Sequence, residues 1–234
     1  VGCTLCHQVT EPMSGEDSFS GHFNISASRL AWGPFAPKSA RTMEQRAGYL
    51  PAQASHLGTS EFCASCHELS TDYVDVNGNI VSTPQTLFPE QAPYKEWLES
   101  TFSDDQIQCQ DCHMNRAAAT KITTTPKQVP DRDGVQRHTF FTENTAMLDI
   151  VQSAALDDGL DIPDLNEAAE NGKDYLYEAG EIQIEQVVWE KNTLTVTVRV
   201  VNLAGHKLPT SIPLRRMFIH FAVYDKDGQV LFSS

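Results

Sequence analysis

Cys3-Thr-Leu-Cys6-His7, Cys63-Ala-Ser-Cys66-His67 and Cys109-Gln-Asp-Cys112-His113 together use every cysteine of the 234-residue chain. Cys-x-x-Cys-His is the attachment signal for c-type haem: two thiols form thioethers with the vinyl groups, and the adjacent imidazole ligates iron. With 6 Cys and 8 His in 234 residues, random placement supplies roughly 0.005 such pentads. The chain is therefore read as carrying three haem c groups. Cys3, Cys6, Cys63, Cys66, Cys109 and Cys112 hold them covalently, and His7, His67 and His113 are the proximal iron ligands. Zinc would need ligand pairs drawn together from distant segments, and would not explain a His directly after Cys three times. Redox-active dithiols would not need the histidines at all.

The sixth coordination position of each iron decides the chemistry. A second imidazole closes the site to substrate and makes it an electron carrier, whereas an open position permits catalysis. Five histidines lie outside the pentads: His22, His56, His138, His206 and His220. That is more than three irons require. His56 precedes the second pentad by seven residues. His138 lies directly before a helical segment that can hold it rigidly. His206 sits in an inter-strand loop, where Gly205 permits close backbone approach and Pro209 stiffens the chain. These three are the expected distal ligands, and His22 in Ser20-Gly-His-Phe23 is a further candidate. His220 falls in a predicted strand and is the weakest of the five. Trp97, Tyr94, Phe88 and Phe102 are read chiefly as core. Lys207, Arg215 and Arg216 are basic groups within reach of propionates or solvent.

Outward from the pentads, residues 1–141 form the haem-bearing region and residues 142–180 a helical connector. Residues 181–234 form a β-rich tail. Thr10 to Leu57 reads mostly as loop. A short helix is expected around Glu90–Ser100 with Pro93 in its first turn, and a tight turn at Asn77-Gly78-Asn79. Thr142 or Asn144 caps a helix to Asp157, ended by Gly159; a second runs from Pro163 to Tyr177, closed by Gly180. Ile182, Ile184, Val187, Trp189, then Leu194, Val196, Val198, Val200, predict two strands joined at Lys191-Asn192. Met217–Tyr224 and Gln229–Phe232 predict two more. The expected class is a mixed one: a loop- and helix-rich region wrapped around haems, followed by a partial immunoglobulin-like β-sandwich. A half-sandwich leaves an open face, so the chain is expected to continue past Ser234.

The net charge of −14 argues against nucleic-acid binding. No apolar run is long enough to span a membrane. Covalent haem attachment takes place outside the cytoplasm. A periplasmic or extracellular protein is expected, its export signal removed or lying on a longer chain.

Ser60-Glu-Phe-Cys-Ala-Ser-Cys-His-Glu-Leu69, Phe88-Pro-Glu-Gln-Ala-Pro-Tyr-Lys-Glu-Trp97, Cys109-Gln-Asp-Cys-His-Met114 and Gly205-His-Lys-Leu-Pro-Thr210 with Arg215-Arg216 give the chain a family likeness. It resembles the large multihaem c-type cytochromes of bacteria that respire metals or other extracellular acceptors. The resemblance implies bis-histidine haems and a β-rich tail, with His56, His138 and His206 as distal ligands; His22 fits the pattern less closely. It implies redox proteins or extracellular electron acceptors as partners, with other cytochrome subunits also possible. The leading expectation is electron transfer rather than enzymatic turnover. A subunit of an extracellular cytochrome filament, or a reductase with one open haem, are the alternatives. No Cys-x-x-Cys-Lys variant is present.

Overall fold

The computed structural model describes residues 2–11, 20–37, 39–83, 85–121, 129–140 and 144–234. Each pentad is itself a short helix or part of one: α1 (Cys3–Cys6), α3 (Ser60–His67) and α6 (Cys109–His113). A helical turn brings Cys, Cys and His to positions i, i+3 and i+4, which share one face. That is the arrangement required to meet one haem edge and its iron.

The stretch expected to be mostly loop between the first two pentads has structure of its own. β1 (Leu30–Gly33) pairs in parallel with β2 (Leu50–Gln53), and α2 (Ala40–Ala47) crosses between them. Ser39 precedes α2, and Gly48 ends it at φ +76°, a left-handed stop that suits glycine. A 3₁₀ turn at His56–Gly58 leads into α3. β3 (Leu69–Thr71) and β4 (Phe88–Gln91) form an antiparallel pair that hands the chain to α4 (Pro93–Leu98) and α5 (Thr101–Asp104). The Asn77–Asn79 turn forms as expected, with Val74 bridged to Ile80 and Asp75 accepting from the Asn77 and Asn79 amides.

The core beside the pentads is small. Tyr94 and Trp97 stack at 5.7 Å and bury Ala64, with Phe102 against them. Trp97 donates its indole N–H to the Ile107 carbonyl at 2.8 Å, so its polar tip is satisfied.

The connector folds as an αα-hairpin of α7 (Thr145–Asp157) and α8 (Pro163–Glu178). Asn144 stands at the cap of α7, while Thr142 lies outside the described residues. Gly159 (φ +76°) ends α7: its N–H bonds Leu156 and that of Leu160 bonds Ala155, a Schellman motif. Gly180 does not close α8. Ala179 does, and Gly180 begins β5 (Gly180–Glu190), paired with β6 (Thr193–Asn202). Added side-chain bulk at Gly180 would come within 3.1 Å of Leu208, which explains the glycine there.

The apolar positions of β5 slip phase between Ile184 and Val187, while those of β6 keep strict alternation. A β-bulge between Ile184 and Gln186 absorbs the slip, so Ile182, Ile184, Val187 and Trp189 all stay opposite Val200, Val198, Val196 and Leu194. Lys191 and Asn192 both have positive φ (49° and 63°), as a two-residue type I′ hairpin turn requires. The third predicted strand is shorter than expected. Only Ala222–Tyr224 (β7) pairs, with β8 (Val230–Ser233), and residues 217–221 carry no ladder. Among the described residues the two hairpins are separate two-stranded sheets.

Candidate haem sites

The second and third pentads are locked together at their N-termini. Ser60 donates from its amide (2.8 Å) and hydroxyl (2.9 Å) to the Gln108 side-chain carbonyl, and its hydroxyl accepts from the Cys109 amide at 3.1 Å. Gln110, buried, donates to the carbonyls of Leu57 (3.0 Å) and Thr59 (2.7 Å). Gln108 and Asp111 complete a reciprocal capping box on α6. The result sets Cys63 beside Cys109. As free thiols they share a hydrogen bond, which raises Cys63 well above the usual range and lowers Cys109 to about 7.

The first pentad also lies near the second. Cys66 is raised by burial and then by its neighbour Cys6. The chain leading to His22 is tied to the same place. Ser20 donates from its amide to the Glu68 carbonyl at 2.5 Å and from its hydroxyl to the Cys66 carbonyl at 2.6 Å; the Gly21 amide bonds Ser65 at 2.9 Å. The second pentad therefore neighbours both others, and the His22 segment crosses its C-terminal end.

Two histidine pairs face each other across space. His7 and His138 have ring centroids 6.1 Å apart, and His113 and His206 are 6.2 Å apart. An imidazole nitrogen binds a transition metal at about 2.0 Å, so two rings on opposite sides of one ion hold their centroids roughly 6 Å apart. Both separations are close to that figure. The nitrogens are prepared as well. His7 Nδ1 lies 2.5 Å from the Trp32 carbonyl, and His206 Nδ1 lies 3.0 Å from the Lys207 carbonyl. A carbonyl accepts, so each Nδ1 carries the proton and Nε2 is left with its lone pair for metal.

Each pair joins distant parts of the chain. His138 follows a segment bridged back onto the chain after the third pentad, through Arg116–Gln136 and Thr120–Arg132. Beside His7, an apolar cavity of about 230 Å³ is lined by Cys3, Ala31, Met43, Ala47, Tyr49 and Pro51. This wall comes from α2 and its flanking strands, the elements that sequence reading left as loop. His206 arrives from the loop after β6. Tyr175 of α8 packs its ring edge-on against His113 at 5.7 Å.

His56 is arranged differently. Its Nε2 lies 3.0 Å from the Val9 carbonyl, and its ring sits against Trp32 and Phe62. Here the proton is on Nε2. His67 is exposed to solvent, yet desolvation of its ring and then the neighbouring His113 hold it below the ordinary imidazole value. His220 bonds Ser233 at 3.0 Å, away from the pentads. Lys207 pairs with Glu96 at 3.8 Å. Sequence reading singled out neither Glu96 nor the Ser60–Gln108–Gln110 network.

No family model matches the chain, and no curated protein matches it. Its fold is similar to a solved structure, the crystal structure of a penta-heme cytochrome c552 from Thermochromatium tepidum. The TM-score is 0.56 at 17% identity, covering 100% of this chain and 51% of that one. The chain thus spans about half the length of that structure. At this identity the likeness is one of fold alone.

Proposed function

We propose that the chain transfers electrons as a multihaem c-type cytochrome, using three covalently attached haem c groups closed by histidine on both faces. When bound, each haem supplies a one-electron iron couple. The observation that carries this reading is the facing of His7 with His138 and of His113 with His206, each with its proximal or distal Nδ1 engaged by backbone. Closed irons pass electrons and leave no position for substrate. The remaining iron, on His67 of the second pentad, takes its distal ligand from His22, whose segment is hydrogen-bonded onto that pentad. His56, favoured from sequence, has its Nε2 engaged by the Val9 carbonyl.

The hydrogen bonds between the second and third pentads, with Cys6 of the first near Cys66 of the second, support a relay in the order first, second, third. Donor and acceptor are redox proteins or extracellular acceptors. Thioether attachment of haem places the protein outside the cytoplasm, and no helix among the described residues is long and apolar enough to cross a membrane. A reductase reading would require the His67 iron to stay open. The test is a haem count by mass and absorption, together with a potentiometric titration. Three haems and reversible one-electron steps are expected. Fewer than three haems, or turnover of nitrite or hydroxylamine, would refute the reading.

A further inference from the structure

The loop bearing His206 is held to the rest of the molecule largely by one carboxylate. Glu96, on α4, is mostly buried, its side chain only 13% exposed. One of its oxygens accepts from the Thr210 hydroxyl at 2.6 Å and from the Lys207 amide at 3.1 Å; the other lies 3.8 Å from the Lys207 ammonium. These bonds bracket the loop just after His206. On its near side, Gly205 lies so close to Phe102 that an added Cβ would sit 3.2 Å from that ring. Within the loop, Asn202 donates to the His206 carbonyl at 2.7 Å and accepts from the Ala204 amide at 3.0 Å. The loop is internally braced, but Glu96 is what fastens its far end to the layer of helices that carries the third pentad.

We propose that Glu96 is a positioning residue: its carboxylate latches residues 207–210 to α4 and so keeps His206 opposite His113. Hydrogen bonds to an ionised group are the strong ones, and removing the acceptor leaves both Thr210 and the Lys207 amide without it. The ring is then free to swing with its loop. The inference rests on the reading that His206 closes the iron bound by His113.

The full haem-loaded protein tests it, in wild type, Glu96→Ala, Glu96→Gln, Thr210→Val and a His206→Ala reference. The readouts are the haem spin state by electron spin resonance and the carbon monoxide bound by the reduced protein. His206→Ala is expected to convert one haem. Glu96→Ala is expected to raise the open, carbon monoxide-binding population of that same haem at least roughly tenfold over wild type. Glu96→Gln, which keeps an acceptor oxygen but loses the charge, should fall between, and Thr210→Val should give the smallest rise. If Glu96→Ala folds poorly, the other two variants decide. The latch is overturned if the Glu96 variants bind carbon monoxide no more than wild type while His206→Ala does, or if they perturb all three haems alike. If His206→Ala itself leaves every spin state unchanged, the ligand reading fails and the latch with it.

Discussion

The loop 203–210 and the turn at 55–58 each present a histidine near a pentad, and they engage the backbone with opposite ring nitrogens. His206 gives Nδ1 to the carbonyl of its own neighbour, Lys207, and its ring centroid lies 6.2 Å from that of His113. His56 gives Nε2 to Val9, a residue 47 positions away, and packs its ring on Trp32 and Phe62. The first arrangement is the one we propose for a metal ligand; the second ties the chain just after the first pentad to the entry of the second. On the proposed reading, two histidines expected from sequence to be distal ligands take different roles according to which nitrogen the backbone engages.

The sharpest way to break this contrast is replacement of the two residues. His206→Ala and His138→Ala should each convert one haem from low to high spin and let the reduced protein bind carbon monoxide. His56→Ala should change no spin state. Equal effects from His56 and His206 would erase the distinction. His22→Ala extends the contrast to the middle iron: it should open the haem on His67, and an unchanged spectrum there would return His56 to candidacy.

Stability effects come next. Gly205→Ala pushes a methyl to 3.2 Å from Phe102, and such overpacking costs about 1–3 kcal/mol, seen as a lowered denaturant midpoint. His56→Ala loses its hydrogen bond to Val9, worth about 0.5–1.5 kcal/mol. A fall in stability from His56→Ala without any spectral change would mark it as structural.

The smallest effect concerns pH. Burial, and then the Glu61 carboxylate beside it, push the Tyr94 hydroxyl up from 10.0 to about 12. The folded state then holds a proton that the unfolded state releases, so stability is unaffected below pH 10 and declines as pH rises from about 10 to about 12. Ultraviolet titration of tyrosinate checks this. Tyr94→Phe should remove that share of the alkaline decline, and an unchanged alkaline profile in the variant would contradict the assignment.

The pentads, the αα-hairpin and the β5–β6 hairpin were legible because each rests on local rules: fixed spacing, capping, glycine stops and alternation. The bulge was written in the sequence as the phase slip after Ile184, which strict alternation alone does not explain. α2 was missed although Ser39, Met43, Ala47 and Gly48 stand at start, apolar-face and stop positions; its high polar content hid a single apolar edge. The shortening of the Met217–Tyr224 strand and the choice of nitrogen on each histidine were beyond sequence reading. Both depend on groups far away in the chain, as Val9 is from His56 and Glu96 from Lys207.

The central claim is that the irons are closed in pairs by histidine. Low-temperature electron spin resonance of the fully oxidised protein tests it most directly. The account predicts low-spin ferric signals alone, from all three haems; a high-spin signal amounting to one haem or more would contradict it.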